Sequence, residues 1–241
     1  MILAGLVAGG SGTRMQSAVP KQYLKIGGET ILLRTVRTFC QVKAIDGILI
    51  GVPEAWLTET ENMIGLLSES ERFGKQIVVC AGGSSRIDTL RKLMKEAERV
   101  FQVGEEDIFL THDAVRPFVT REIIEANIEA MAQARACSTA VPANDTVLVS
   151  MEGKRVYTVP KRSTMYLAQT PQTVRFGEFG SILSGMSDAE LSETTDICGI
   201  YAKKGLSVDL VAGSVENIKI TNPSDIAVGE AILQQREKNQ E

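Results

Sequence analysis

Short apolar runs alternate with amphipathic segments along most of this chain. Five runs have the length and composition of buried strands: Ile2–Val7, Gly47–Val52, Gln76–Ala81, Asp107–Thr111 and Cys137–Val141. The segments between them repeat apolar residues at helical spacing, most clearly in the stripe that runs from Ile87 to Ala97. Strands that alternate with helices in this way predict an α/β domain built on a mostly parallel sheet.

Capping residues and prolines indicate where helices begin. Thr30 and Thr120 each precede an apolar stripe, and Pro223 can start a final helix that reaches about Gln235. The same patterns predict several further elements, namely helices at Glu54–Leu67, Arg175–Leu183 and Asp188–Lys203, and a strand at Ser207–Leu210.

The alternation of strands and helices breaks between Pro142 and Thr170. Asp145–Ser150 and Arg155–Val159 alternate apolar and polar residues on either side of a turn, which predicts a β-hairpin. A hairpin inserted into an α/β domain usually forms an arm over the active site or around a partner subunit. We therefore expect one domain over residues 1–241 with an arm at about residues 142–172.

Composition narrows the class of protein. The formal net charge of −4 leaves no general basic field for nucleic acid, so any phosphate ligand must be held by local cations. The first apolar run is too short to span a membrane and lacks the charged start of a signal peptide. The four cysteines are far apart in sequence and show no metal-ligand spacing, which predicts reduced thiols in a cytoplasmic protein.

The loop after the first strand has the composition of a phosphate site. Gly9, Gly10 and Gly12 let the backbone approach a ligand closely, and the cations Arg14 and Lys21 follow within one short connection. Met15 stands where a dinucleotide fingerprint needs its third glycine, and the Gly-Lys-Ser/Thr ending of a Walker loop is missing. A simple tight turn remains the alternative.

Two further strands end in polar clusters. The segment Gly82–Thr89 opens a helix, where Ser84 or Ser85 can simply cap the helix, or Asp88 and Thr89 can read the edge of a base. Asp113 follows the fourth strand, where a carboxylate either holds Mg²⁺ or caps a turn.

The remaining polar residues give weaker signals. His112 is the only histidine, and we interpret it as structural because it has no catalytic partner in sequence. Arg116 can pair with Asp113. Lys219 and Arg162 look like ordinary surface charges from their spacing alone.

Seven ordered motifs nevertheless resemble the cytidylyltransferases that make CDP-linked polyol phosphates. In order, they are AGLVAGGSGTRM with PKQYL, GGSSRIDT, THDAVRPF, the DT of the arm, QTPQ and ENIKIT, within residues 1–235. The resemblance implies a Rossmann-like nucleotidyltransferase sheet flanked by helices, with a β-hairpin dimerisation arm. It also implies transfer of the cytidylyl group of CTP to a polyol phosphate, with Mg²⁺ as cofactor. The alternative from a different class is a non-catalytic module that binds CTP or a CDP-sugar.

Two branches of this family differ in their polyol phosphate. THDAVRPF with Val115, MYLAQTPQ with Tyr166, and TTDIC resemble the D-ribitol 5-phosphate branch, so we predict that substrate. The alternative is 2-C-methyl-D-erythritol 4-phosphate. The connection Met15–Pro20 is shorter than is usual in the ribitol branch, and Ala114 replaces a serine of some of its members.

The resemblance also implies roles for individual residues. The nucleotide would be bound by Val7, Ala8, Gly9, Gly10, Gly12, Thr13, Gly82, Gly83, Ser84, Ser85, Arg86, Ile87, Asp88 and Thr89. The catalytic cations would be Arg14, Lys21, Arg162 and Lys219. The polyol phosphate would be held by Asp113, Ala114, Thr146, Arg162, Thr170 and Lys219, with Asp113 also holding Mg²⁺ or its water shell. Arg162 would reach across from the neighbouring subunit, which implies a homodimer. A reductase that makes the polyol phosphate is a possible functional partner, whereas nucleic acid and membrane partners are not expected.

Overall fold

A seven-stranded sheet organises the part of the chain that the structure, a computed structural model, describes: residues 1–10, 15, 17, 19–187, 190, 191, 194 and 196–239. Its strands are β1 (Ile2–Val7), β4 (Gly47–Val52), β5 (Gln76–Ala81), β6 (Ile108–Asp113), β7 (Ala136–Pro142), β8 (Tyr166–Arg175) and β9 (Asp209–Ala212). A small hairpin pairs β2 (Lys25–Ile26) with β3 (Glu29–Thr30). The helices are α1 (Ile31–Gln41), α2 (Leu57–Gly65), α3 (Glu69–Arg72), α4 (Arg86–Val100), α5 (Arg121–Ala130), α6 (Phe176–Ser184), α7 (Ile197–Lys203) and α8 (Ser224–Lys238).

The strand order is β5-β4-β1-β6-β8-β7-β9, and every neighbouring pair is parallel except the two pairs that involve β8. The predicted mostly parallel α/β sheet is therefore confirmed. Thr30 and Thr120 cap α1 and α5, as their sequence positions predict: their side-chain oxygens accept the backbone N–H groups of Leu33 and Ile123.

Helices cover both faces of the sheet and bury separate apolar clusters. One cluster joins α1, α2 and α5 to one face through fully buried residues such as Phe39 and Ile124. The other joins α4, α6 and α7 to the opposite face around Phe109 and Tyr201. This layered packing leaves the ends of the strands free to form a site.

The terminal helix α8 closes one end of the domain. Its apolar residues pack with Ile26, Phe118 and Ile220, and Gly229 lies so close to Ile26 that a Cβ there would force the isoleucine side chain to move. Within the described residues, no helix has both the length and the apolar character needed to cross a membrane.

The sequence patterns missed β8, which lies antiparallel between β6 and β7. It is buried on both faces from Gln169 to Val174, and most of these positions are polar: Gln169, Thr170, Gln172 and Thr173 are all less than 8% exposed. A buried polar strand lacks the apolar run by which strands are recognised in sequence, and it contains a proline, Pro171, preceded by a cis peptide bond. The buried polar groups of β8 are satisfied instead by hydrogen bonds to side chains in distant parts of the sequence.

The segment predicted as an arm, at about residues 142–172, belongs in its last part to the sheet, because β8 begins at Tyr166, and the hairpin within it is not built from two strands. Only an isolated bridge joins Val149 to Thr158, so the alternation of apolar and polar residues there does not produce a ladder. Several of its apolar side chains are exposed, among them Met151 and Tyr157.

Element boundaries also shift elsewhere. The predicted helix at 54–67 is divided into a 3-10 turn, Glu54–Trp56, and α2. The predicted strand Ser207–Leu210 lies two residues further on, as β9. The predicted helix at 188–203 corresponds in its second part to α7, and residues 188, 189, 192, 193 and 195 lie outside the described part.

Candidate active site

One cleft of about 400 Å³ lies at the carboxyl ends of β1, β5 and β6. Its lining residues come from five separate stretches of chain: Val7, Ala8, Gly9, Gly10, Lys21, Gln22, Gly83, Ser84, Ser85, Arg86, Thr89, Asp113, Val115, Lys219 and Thr221. This is where an open parallel sheet binds its ligands, because strand order reverses around β1. The three strand ends that carry polar clusters in the sequence, after β1, β5 and β6, meet here.

The glycine loop forms one wall of the cleft. Its start is tied to β4 by the bond from the Ala8 N–H to the carbonyl of Gly51, 2.8 Å long. The amide of Gln22 donates to the carbonyl of Ala8 at 2.6 Å and reaches that of Gly10 at 3.5 Å. Residues 11–14, which include Gly12, Thr13 and the predicted catalytic Arg14, lie outside the described part of the chain, so their roles stay predictions.

The loop after β5 forms the opposite wall and is shaped by the first turn of α4. The hydroxyl of Ser85 accepts the N–H of Asp88, so Ser85 is the N-cap. The carboxylate of Asp88 accepts the N–H of Ser84 at 2.8 Å, and the hydroxyl of Thr89 accepts the N–H of Gly83 at 2.9 Å. Gly83 lies so close to Asp88 that a Cβ there would overlap the carboxylate.

Asp113, the last residue of β6, is surrounded by three cations. Its Oδ2 lies 2.9 Å from Nζ of Lys219 and 3.5 Å from Nε of Arg116, and its Oδ1 lies 3.2 Å from Nε of Arg86. Burial alone would raise the pKa of this carboxyl, but the charges of Arg86 and Lys219 outweigh it and hold the pKa well below its usual range. Asp113 is therefore an anion that orients the cations around it.

Among the described residues that line the cleft, positive charge is in excess: Lys21, Arg86 and Lys219 stand against one carboxylate, that of Asp113. Lys21 is only 7% exposed, and its Nζ donates to the carbonyl of Ile220 at 2.9 Å. Both Nη atoms of Arg86 are buried and have no hydrogen-bond partner within the described residues. Guanidinium groups in that condition favour a phosphate ligand.

Some predicted ligand residues lie away from the cleft. Ile87 and Ala114 are at most 1% exposed and pack in the two sheet clusters, so their side chains do not contact a ligand in the cleft. Ile87 faces the core because it is on the inner side of α4. Thr170 is also buried, and its hydroxyl bonds to His112 and to the N–H of Asp113.

Arg162 and Thr146 belong to the arm, not to the walls of the cleft. Both are exposed, and Arg162 donates to the carbonyl of Asn144 at 3.2 Å. Between arm and domain lies a groove of about 460 Å³, and Arg116 lines it while its Nη1 donates to the carbonyl of Asn217. Arg116 therefore connects the groove to the cluster around Asp113.

The predicted magnesium role of Asp113 does not fit these contacts. Each of its two oxygens already meets at least one cation, and the described residues include no group of three or more side chains suited to hold a metal ion. A divalent cation bound directly there would have to displace Lys219 or Arg86. We assign no protein metal ligand and derive no reaction step through one.

Sequence reasoning missed three lining residues, Gln22, Val115 and Thr221. All three stand within quoted motifs, PKQYL, THDAVRPF and ENIKIT, but nothing in their own pattern distinguishes them. Gln22 is only 1% exposed, and a buried glutamine beside a phosphate loop is a signal that only burial reveals.

The fold and the cleft define the class of protein: an α/β nucleotidyltransferase with a cationic site for a polyanion. The family model described as IspD, 2-C-methyl-D-erythritol 4-phosphate cytidylyltransferase, matches residues 2–235. The chain belongs to this family and is a CTP-dependent cytidylyltransferase.

Solved structures agree with this membership. The 4-diphosphocytidyl-2C-methyl-D-erythritol synthase of Anaerococcus prevotii is 26% identical, with 97% of this chain and 96% of that chain covered and a TM-score of 0.80. The 2-C-methyl-D-erythritol 4-phosphate cytidylyltransferase of Francisella tularensis is also 26% identical, with 95% and 98% covered and a TM-score of 0.78. The corresponding enzyme of Thermus thermophilus is 25% identical, with 97% and 100% covered and a TM-score of 0.71. The predicted preference for D-ribitol 5-phosphate is not confirmed by these names.

Proposed function

We propose that this enzyme transfers the cytidylyl group of CTP to 2-C-methyl-D-erythritol 4-phosphate, a reaction of isoprenoid biosynthesis. The observation that supports a phosphate-transfer site is a cleft of about 400 Å³. Lys21, Arg86 and Lys219 line this cleft beside two glycine-rich loops. The choice of polyol phosphate rests on the family description and on the names of the similar structures.

D-ribitol 5-phosphate is the second candidate, and one position in the cleft favours it. Val115 lines the cleft at the position where the erythritol branch more often carries alanine. A larger side chain there changes the shape of the wall next to Asp113. This is a difference of two methyl groups, worth roughly 1–3 kcal/mol of discrimination between substrates.

The chemistry requires no general base. A phosphate oxygen of the polyol phosphate attacks the α-phosphorus of CTP and forms a new P–O bond, while the bond to the bridging oxygen of the β-phosphate breaks. The electron pair of that bond leaves with pyrophosphate. Because the attacking phosphate is already ionised near neutral pH, the protein has to align two polyanions and stabilise the added charge.

The described residues divide this work between two sides of the cleft. Lys21 and the N–H groups of Gly9 and Gly10 would face the nucleotide phosphates, with Arg14 as a further predicted cation. Lys219, oriented by Asp113, would face the incoming polyol phosphate in the cleft, and Arg116 would face it from the adjoining groove. The expected Mg²⁺ would accompany the nucleotide and neutralise its phosphates, since the described residues offer no ligand set for it.

The arm supports a homodimer as part of this proposal. Its exposed apolar residues include Leu148, Met151, Val156 and Tyr157, each more than 50% exposed, and side chains of this kind favour a protein contact. Arg162 in the arm would then complete the polyol phosphate site of the partner subunit. Light scattering after size exclusion should report a dimer, and a Tyr157→Glu variant should shift the molecular mass toward the monomer.

A pyrophosphate-release assay tests the substrate. Purified enzyme with CTP and Mg²⁺ is offered each polyol phosphate separately, and then both together at equal concentration. A higher kcat/KM for 2-C-methyl-D-erythritol 4-phosphate supports the proposal, and a higher value for D-ribitol 5-phosphate overturns it in favour of the second candidate. A Val115→Ala variant should move the ratio of the two values toward the erythritol substrate.

A further inference from the structure

His112 is fully buried beneath the cluster around Asp113, although the reaction described above does not use it. It is the only histidine of the chain, and its ring packs against Phe39 with the ring centres 5.0 Å apart. Burial lowers the pKa of the imidazole to about 4, so the ring is neutral at neutral pH. A buried polar ring of this kind needs a partner for each nitrogen.

The partners of His112 determine which nitrogen carries the proton. Its Nε2 lies 3.2 Å from the carbonyl oxygen of Arg116, which can only accept, so Nε2 carries the hydrogen. Its Nδ1 is then an acceptor, and it lies 2.9 Å from the hydroxyl of Thr170, which donates to it. The same hydroxyl oxygen accepts the backbone N–H of Asp113 at 3.1 Å.

These bonds form one chain with a single direction. It runs from the N–H of Asp113 through the hydroxyl of Thr170 and the ring of His112 to the carbonyl of Arg116. A direct turn bond from the N–H of Arg116 to the carbonyl of Asp113, 2.9 Å long, closes the segment on its other side. The imidazole thus links the two ends of the segment 113–116 and attaches it to β8.

Both ends of this segment carry side chains of the proposed polyol phosphate side. Asp113 orients Lys219, and the guanidinium of Arg116 meets both Asp113 and the carbonyl of Asn217. A rotation of the segment would move both side chains relative to the cleft. Misplacement of reacting groups by about 1 Å can cost about 10²-fold in rate.

We propose that His112, as the neutral Nε2–H tautomer, is a positioning residue for the polyol phosphate: it holds the turn that presents Asp113 and Arg116. The substrate part of this inference rests on the proposed function, whereas the tautomer does not. His112 acts through Asp113 and Arg116 and does not touch the reactants.

The tautomer can be measured directly because the chain has a single histidine. A two-bond ¹H–¹⁵N correlation spectrum of protein labelled with ¹⁵N-histidine should show a neutral ring protonated at Nε2 at pH 7. A ring protonated at Nδ1, a mixture of the two tautomers, or an imidazolium would each overturn the proposal. This result is independent of whether any substrate has been identified correctly.

Kinetics tests the positioning role. His112→Leu removes both bonds, His112→Asn keeps an acceptor toward Thr170, and His112→Gln keeps a donor toward Arg116. We expect the Leu variant to lower kcat/KM for the polyol phosphate by about 10- to 100-fold, and the Asn and Gln variants to lie between it and the natural enzyme. The dissociation constant for CTP, measured calorimetrically without the second substrate, should change by less than about threefold.

Two results would contradict this role: an unchanged kcat/KM in the Leu variant, or a weakening of CTP binding as large as the kinetic loss. If the Leu variant does not fold, the Asn and Gln variants are compared with the natural enzyme instead. The proposal is overturned if both of these variants are as active as the natural enzyme. If the natural enzyme turns over neither polyol phosphate, the proposed function fails while the tautomer measurement still tests the hydrogen-bond chain.

Discussion

Nζ of Lys219 lies 2.9 Å from Oδ2 of Asp113, so a lysine near the end of the chain is held at the end of the sixth strand. The lysine is 41% exposed while the carboxylate is 9% exposed, which places the cation at the mouth of the cleft and the anion beneath it. A buried anion under an exposed cation orients that cation without neutralising the whole site, because Arg86 and Lys21 also line the cleft.

Replacing Asp113 by asparagine should destabilise the protein, because it leaves Arg86 and Arg116 without their buried counter-charge. We expect a loss of about 3 kcal/mol in the free energy of unfolding at pH 7. The folded-state pKa of Asp113 is lowered, so its stabilising effect is present above the ordinary pKa of about 3.9 and is lost as pH falls toward the folded-state value. Urea unfolding of the natural and Asp113→Asn proteins should therefore differ most near pH 7 and progressively less below about pH 4. A difference that stays constant down to pH 3 would contradict this, and Asp209→Asn, at an exposed carboxylate, is the control.

Replacing Lys21 by alanine should lower kcat by on the order of 10²–10³, because one preorganised charge next to the phosphates is lost. Lys25→Ala is the matched control, since Lys25 lies four residues later and is exposed on the small hairpin. Steady-state assays at saturating CTP, with the melting temperature recorded for both variants, make the comparison. A Lys21→Ala enzyme with nearly normal kcat would show that the loop only binds the nucleotide.

Replacing Gln22 by glutamate should weaken CTP binding more than it slows turnover. The side-chain amide that donates to the carbonyl of Ala8 at 2.6 Å would become an oxygen that faces the same carbonyl. Leaving a buried polar group unsatisfied costs about 1–3 kcal/mol, which corresponds to a rise of about 5- to 150-fold in the KM for CTP. The exposed Gln76→Glu variant is the control. Equal KM values for CTP in both variants would show that the glycine loop keeps its shape without this bond.

Replacing Arg162 by alanine should raise the KM for the polyol phosphate by at least about tenfold and leave the KM for CTP nearly unchanged. Arg162 lies on the arm, outside the cleft of its own subunit. In the proposed homodimer it would therefore contact the polyol phosphate bound to the partner subunit, and not the CTP of its own cleft. Lys161→Ala removes the neighbouring exposed cation and serves as the control. Proportional losses for both substrates would count against a role for Arg162 in the polyol phosphate site.

Much of the fold follows from local patterns in the sequence. The strands β1, β4, β5, β6 and β7 are recognisable because their apolar runs are buried, and Thr30, Ser85 and Thr120 mark helix starts by their own hydrogen-bonding chemistry. The strand β8 could not be recognised in the same way, because its buried positions are polar and are satisfied by partners such as Ser138 and Asn217, which are distant in sequence.

The candidate site divides in a similar way. Glycines and cations in one short connection indicate a phosphate loop, and a carboxylate at a strand end indicates a polar site. No pattern within the segment ENIKIT distinguishes Lys219 from a surface lysine, although its Nζ contacts Asp113. The contact between them forms because the N–H of Ile220 bonds to the carbonyl of Val115 at 2.9 Å, which brings together parts of the chain more than a hundred residues apart.

The sequence by itself determined the alternation of strands and helices, the position of the glycine loop, and the cations and motifs that identify a cytidylyltransferase. The tertiary structure alone decided which charged side chains meet. It also decided that Asp113 orients the cations around it and that both ring nitrogens of His112 form hydrogen bonds. The physical reason is the separation in sequence between the residues that interact. Periodicity and capping act between neighbouring residues, whereas the energy of a buried charge or imidazole depends on partners that only the folded chain brings within 3–4 Å.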